Sequence, residues 1–207
     1  MLAIGTNDGI VGIERYGNEW ALATKALEGI RIDDISQFGD ITIVATERGV
    51  FESNDNWVTW TNALPDVDAR CVAISSEGTV YVGTDGAYVY RKLLEENKYT
   101  ELTSFRELPT VWSWTFPVSP HLPNIRSIVI SPTDPAHVYV GVEVGGVMAS
   151  FDGGQTWTEA RENMHPDIHG LVVAPGNSDH IYAVTGVGFF RSNDAATSWE
   201  SSSDGLA

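Results

Sequence analysis

Arg70, Arg126, Glu143, Asp167 and His169 are the side chains of this sequence with the types to do chemistry together. Two arginines can hold a carboxylate through their guanidinium forks. A glutamate and an aspartate can divide the work of acid and base. Asp167 and His169 are two residues apart, which puts both on one face of a strand. His121, Glu143, His165 and His169 are also types that suit zinc or a similar ion. No short ligand spacing links them, and a histidine near a strand start is more often a hydrogen-bonded structural residue. The sequence therefore predicts no metal and no other cofactor, and it assigns no residue a catalytic role.

These residues need elements to hold them, and the elements repeat. The unit is a short β-branched or aromatic strand that ends in a small residue and usually Thr, then a Gly turn, then a second strand. Its copies are Ala3-Ile4-Gly5-Thr6, Ile43-Val44-Ala45-Thr46, Tyr81-Val82-Gly83-Thr84, Tyr139-Val140-Gly141-Val142 and Tyr182-Ala183-Val184-Thr185. Their last residues are 40, 38, 58 and 43 apart. A second marker keeps step: Trp20, Trp60, Tyr99, Trp157 and Trp199 are 40, 39, 58 and 42 apart. A further apolar segment precedes most marker strands, as in Arg70-Cys71-Val72-Ala73-Ile74, Ile125 to Ile130 and Ile168 to Val173. Four short strands per unit of about 40–45 residues is the periodicity of a β-propeller. Helix is scarce: only Ala21 to Leu27 and Lys92 to Asn97 read as a helical turn or two.

The units also carry a motif. Ser150-Phe151-Asp152-Gly153-Gly154-Gln155-Thr156-Trp157 matches the pattern Ser-x-Asp-x-Gly-x-Thr-Trp in full. Ser53 to Trp60 matches except that Trp57 replaces the glycine, and Ser192 to Trp199 has Ala196 for glycine and Ser198 for threonine. On these residues the chain resembles the BNR or Asp-box β-propellers, which include sialidases, xyloglucan-cleaving glycosidases, sortilin-type receptors and photosystem II assembly factors. It looks most like bacterial and archaeal proteins described as BNR-repeat or sialidase-like. The resemblance implies an all-β propeller of about five blades, with units near 1–27, 28–62, 63–102, 103–159 and 160–201, forming one domain of a truncated or open six- or seven-bladed ring. It also implies that each box is the turn between the third and fourth strands of a blade. There the Asp caps its own turn, the Gly supplies a positive φ and the Trp packs between blades. Trp57 and Ala196 in place of glycine predict looser turns in two blades.

A propeller places its inner strands along a central channel. The loop entering an inner strand and the hairpin leaving the second strand share one mouth, opposite the boxes. That gathers Arg70, His121, Arg126, Glu143, Asp167 and His169 at one mouth. The fourth unit carries about 15 extra residues near Pro109 to Asn124. Trp112, Trp114 and Phe116 alternate there, which predicts an extra strand with an aromatic face beside the same mouth. The expected function is a non-catalytic scaffold that binds a protein or a small ligand, carbohydrate included, at this mouth through Arg70, Trp112, Trp114, His121, Arg126, Glu143, Asp167 and His169. The alternative is a glycoside hydrolase of the sialidase or xyloglucan-cleaving kind at the same mouth. The Arg-Ile-Pro that sialidases carry is absent, and Asn124-Ile125-Arg126 does not replace it.

Composition narrows the partners. In the 207 residues, 28 acidic side chains oppose 12 basic ones, a formal net charge of −16. Such a field repels phosphate, which argues against nucleic acid and against an anionic membrane surface. No apolar run is long enough to span a bilayer. Cys71 is the single cysteine and lies in an apolar run, so the sequence predicts an inert buried thiol and no disulfide. The first residues lack a basic start and a long apolar stretch, so the sequence is read as cytoplasmic. The first unit starts at its second strand, which predicts unpaired blade edges and association of copies, or of another chain, through them.

Overall fold

The computed structural model describes every residue except Arg161, Asp204, Leu206 and Ala207. Five antiparallel sheets follow one another along the chain. The first holds β1 (Leu2–Thr6), β2 (Gly9–Tyr16) and β3 (Glu19–Ala26); the second holds β4 (Ile32–Phe38), β5 (Ile41–Thr46), β6 (Gly49–Ser53) and β7 (Thr61–Leu64). The third holds β8 (Ala69–Ile74), β9 (Val80–Thr84), β10 (Val89–Lys92) and β11 (Thr100–Glu101). The fourth holds β12 (Ile125–Ile130), β13 (Val138–Val142), β14 (Gly146–Ser150) and β15 (Thr158–Ala160). The fifth holds β16 (Ile168–Ala174), β17 (Asn177–Thr185), β18 (Gly188–Ser192) and β19 (Glu200–Ser201). The leading strands β4, β8, β12 and β16 pack on one another in succession, so the sheets radiate from a shared axis as propeller blades. Among the described residues the first blade has three strands, and no strand pairs with the free edge of β1.

The repeating small residue has a packing cause. A Cβ on Gly5 would stand 2.7 Å from Ile32 Cγ2, one on Gly83 would stand 2.4 Å from Ile125 Cγ2, and one on Gly141 would stand 2.7 Å from Ile168 Cγ2. Each glycine of a marker strand thus receives the first isoleucine of the next blade's leading strand. In the second blade the marker residue is Ala45, and the next leading strand begins with Ala69 instead of isoleucine; both are fully buried in one cluster. The fifth blade has Val184 at this position, half exposed, with no following blade among the described residues. Trp20 on the first blade is 57% exposed, and no other blade among the described residues covers its ring.

The repeating threonine closes a hairpin. Thr6, Thr46 and Thr185 donate to the carbonyls of Gly9, Gly49 and Gly188 at 2.8–2.9 Å and accept from the N–H of Asp8, Arg48 and Val187 at 3.0–3.2 Å. The three glycines sit at φ of 103°, 113° and 139°, a region that side chains disfavour. Polar side chains also tie each leading strand to the next. Asp34 accepts from Val72 N–H at 3.0 Å, Ser36 from Ile74 N–H at 3.1 Å and Ser127 from Leu171 N–H at 3.2 Å. These links satisfy edge donors that the sheets leave unpaired.

The three Ser-x-Asp turns are alike, against the expectation of two looser ones. Asp55, Asp152 and Asp194 each accept from the backbone N–H of Thr59, Thr156 or Ser198 at 2.9 Å and from its hydroxyl at 2.6 Å. The φ values of the two central residues are 55° and 73° at Asn56 and Trp57, 69° and 87° at Gly153 and Gly154, and 55° and 67° at Ala195 and Ala196. The hydrogen bonds hold the turn whether or not glycine occupies it, and burial offsets the strain at Trp57, whose indole donates to Thr42 Oγ1 at 2.9 Å.

Two other expectations fail. Ala21 to Ala26 belongs to β3, and Lys92 ends β10, so neither segment is helical. The described residues contain only two short 3-10 turns, Thr103–Glu107 and Val111–Ser113, both between the third and fourth blades. The second replaces the expected aromatic strand. The alternation of Trp112 and Trp114 separates outside from inside: Trp112 is 86% exposed, whereas Trp114 is buried 5.3 Å from the Phe105 ring. Phe105 in turn meets Trp157 edge-on at 5.0 Å, which makes this loop part of the core between the third and fourth blades.

Candidate functional site at one mouth of the channel

One feature of the leading strands sets the site. In β4, β8, β12 and β16 the register against the second strand slips by one residue at the start, between Ile32 and Asp34, Ala69 and Cys71, Ile125 and Ser127, and Ile168 and Gly170. The extra residues are Asp33, Arg70, Arg126 and His169. A bulge leaves its extra residue outside the ladder and re-aims the side chain. Four blades therefore each present one charged or imidazole side chain at the same end of the channel. The residues that leave the second strands meet them there. Asp85 N–H donates to Asp68 O at 2.9 Å, Glu143 N–H to Asn124 O at 3.0 Å and Gly186 N–H to Asp167 O at 3.0 Å.

The side chains fall into two adjoining groups. In the first, Arg70 donates from Nε and Nη2 to the two carboxylate oxygens of Asp85 at 2.7 and 2.9 Å. Asp68 lies 3.5 Å and Asp33 3.8 Å from the same guanidinium, and Asp33 also takes Arg31 at 2.9 Å. The hydrogen bond to Asp85 holds the Arg70 pKa above its ordinary value. Burial pushes the Asp68 carboxyl up, and the neighbouring charge of Arg70 opposes it. In the second group Arg126 Nε lies 3.3 Å from Glu143 Oε2, and His169 Nε2 lies 3.3 Å from Asp167 Oδ1. One ligand atom each from Glu143, Asp167 and His169 falls within 4.8 Å of the other two. A backbone bridge between Asp85 and Asn124 joins the groups.

The second group is incompletely satisfied. Glu143 is 8% exposed, and its Oε2 and the Oδ1 of Asp167 are buried without a hydrogen-bond donor, because the ion-pair contacts are not aligned as hydrogen bonds. His165 is turned to the backbone, where its Nδ1 accepts from Asp167 N–H at 3.3 Å. Beside the mouth, the leading strands form an open groove of about 480 Å³ lined by Asp34, Ser36, Ala73, Val129, Val172 and Pro175. Burial raises the Asp34 carboxyl pKa, and its bonds from Val72 and Ile35 oppose that shift. Burial likewise pushes the Cys71 thiol well up, as an inert thiol requires.

Of the residues singled out in the sequence, Arg126, Glu143, Asp167 and His169 come together, and Arg70 sits in the adjoining group. His121 is exposed in its own loop, where its Nδ1 lies 2.8 Å from Phe116 O. Trp112 points into solvent and Trp114 into the core. Sequence reasoning missed Arg31, Asp33, Asp68 and Asp85. Their signal was positional, since each precedes, enters or leaves a strand at the same step of the repeat as Asp167, Arg126 or Glu143.

No family model and no curated protein matches this chain. Solved structures do. A GH74 enzyme from Niastella koreensis superposes with a TM-score of 0.66 at 20% identity, over 95% of this chain and 35% of that one. The extracellular domain of a putative hybrid two component system from B. thetaiotaomicron gives a TM-score of 0.70 at 17% identity, over 96% and 25%. YCF48 from Cyanidioschyzon merolae gives 0.61 at 11% identity, over 93% and 64%. The chain thus spans from a quarter to just under two thirds of these structures. The likeness fixes the β-propeller fold.

Proposed function

We propose that this chain is a non-catalytic propeller scaffold that binds a protein segment or a small ligand at the mouth described above. The observation that carries the reading is the bulge repeated in four leading strands, which spends ladder pairing to aim Asp33, Arg70, Arg126 and His169 at one place. Bulges are enriched beside functional sites, where they re-aim a side chain. The charged groups there are held largely by one another, which preorganises a polar surface. The formal charge of −16 favours a ligand with cationic or donor groups over an anionic one.

Peptide and glycan libraries on a surface-resonance chip test this. Ligands that bind should lose affinity when Asp33→Asn or Glu143→Gln alters the mouth and keep it when Gln155→Ala alters the opposite end. Equal binding by all three variants would contradict the reading.

A second reading, a glycoside hydrolase at the same mouth, has one observation in its favour. Glu143 and Asp167 offer carboxylate oxygens within 4.8 Å, compatible with the close pair of a retaining enzyme. Hydrolysis of xyloglucan oligosaccharides that Glu143→Gln abolishes would establish it. Release of sialic acid from a fluorogenic sialoside is not expected.

A further inference from the structure

We propose that Glu143, Asp167 and His169 form a binding site for a divalent cation of the zinc or manganese class. All three ligands belong to this chain, so the inference stands whether or not the mouth binds a partner.

The fifth blade departs from the other blades at two linked positions. Where the second, third and fourth blades leave their second strands with Glu47, Asp85 and Glu143, the fifth has Gly186. A Cβ there would stand 2.3 Å from Asp167 Oδ2, so the glycine vacates the space that the Asp167 carboxylate occupies. Where the other bulges carry Asp33, Arg70 and Arg126, the fifth carries His169. These two changes set an imidazole nitrogen 3.3 Å from a carboxylate oxygen, beside the glutamate of the fourth blade. Ligand atoms around a tetrahedral zinc lie roughly 3.3 Å apart, given bonds near 2.0–2.1 Å. The His169–Asp167 pair already has that spacing, and the Glu143 ligand atom lies within 4.8 Å of both.

An independent observation points the same way. Glu143 is more than nine-tenths buried, and its Oε2 accepts no hydrogen bond; the Asp167 side chain is 28% exposed, but its Oδ1 is buried and also accepts none. Two buried carboxylate oxygens without donors are unfavourable unless something positive sits between them. Arg126 supplies only an unaligned contact at 3.3 Å from a half-exposed side chain, which can turn out to solvent. Two carboxylates neutralise a divalent ion. One nitrogen with two oxygens suits zinc or manganese better than calcium, which takes six to eight oxygens.

The test is calorimetric titration of chelator-stripped chain with zinc chloride and with manganese chloride. One equivalent of at least one metal should bind. His169→Gln and Asp167→Asn should each weaken that binding by tenfold or more. Arg126→Ala should tighten it, because a competing cation is removed, and a merely structural role would not produce that sign. His137→Gln, at the far end of the fourth blade, should change nothing. Absence of saturable binding by the parent chain would overturn the site. So would binding that survives both His169→Gln and Asp167→Asn in chains whose circular dichroism is unchanged.

Discussion

Gly83→Ala should destabilise the protein by about 1–3 kcal/mol, the usual cost of forcing an extra group into a packed core. The added Cβ would stand 2.4 Å from Ile125 Cγ2, 2.5 Å from Ile125 Cβ and 2.7 Å from Cys71 Sγ. Ile125 is fully buried, and its Cβ is fixed to the backbone, so no rotamer change removes the clash. The left-handed region plays no part at Gly83, and stiffening the unfolded chain would by itself stabilise by about 0.4–1 kcal/mol. A net loss therefore reports packing alone. Ile125→Ala should cost about 2–5 kcal/mol by itself, through lost burial and the cavity it leaves. The double variant recreates the pairing that Ala45 and Ala69 already make one blade earlier. Its cost should fall short of the sum of the two single costs by about 1–2 kcal/mol, within the range seen for residues in contact. Urea unfolding followed by tryptophan fluorescence measures all three. A loss below about 0.5 kcal/mol for Gly83→Ala, or strictly additive costs, would refute the interlock of small and large residues between blades.

Other outcomes follow from the same geometry. Trp157→Ala should cost about 3–5 kcal/mol, because it empties a buried place against Phe105 and the third blade, whereas Trp112→Ala should stay within about 0.5 kcal/mol; equal melting shifts would misplace the core. Acid should act in two steps. Hydrogen bonds from Thr59 to Asp55 and from Ser198 to Asp194 hold both pKa values below the ordinary 3.8, and those from Thr156 do the same for Asp152 against a burial effect that raises it. Their stabilisation is full above that value and disappears as pH falls through the depressed pKa values. Asp34 is shifted up by burial, so its charged form costs stability that acidification returns above pH 3.8. Melting temperature against pH should pass through a shallow maximum and collapse below pH 4, and Asp34→Asn should flatten the rise without moving the collapse. A collapse that begins well above pH 4 would contradict the assignment of the turn aspartates.

Much of this architecture was written in the spacing of side chains. The step between Trp60, Tyr99, Trp157 and Trp199 is the step between blades, and the Gly-Thr ending of a marker strand is an inter-blade socket followed by a hairpin cap. Those signals survive because each residue does its work inside one repeat or against the next. Trp112 and Trp114 misled because alternation reads as a pleat only when a sheet edge is there to pair with, and here one ring was drawn into the core. The turns at Trp57 and Ala196 misled because glycine seemed necessary, while the side-chain bonds of Ser53, Asp55, Ser192 and Asp194 fix the turn without it. Glu143, Asp167 and His169 were legible as residues at strand ends. The bulge that gathers their neighbours was not, because it is a property of register between two strands, and Asp33 and Asp85 stayed hidden with it.

Proximity across blades is the claim on which the site rests, and cross-linking measures it directly. Cys71 is buried with a raised pKa and stays silent, so introduced thiols can be read alone. A chain carrying Glu143→Cys and His169→Cys should be joined internally by a short bifunctional maleimide, detected as a linked peptide pair after proteolysis. A chain carrying Glu143→Cys and Asp152→Cys, whose positions lie at opposite ends of the fourth blade, should not. Absence of the first cross-link in folded protein, or equal yields from both chains, would contradict the convergence of the fourth and fifth blades at one mouth.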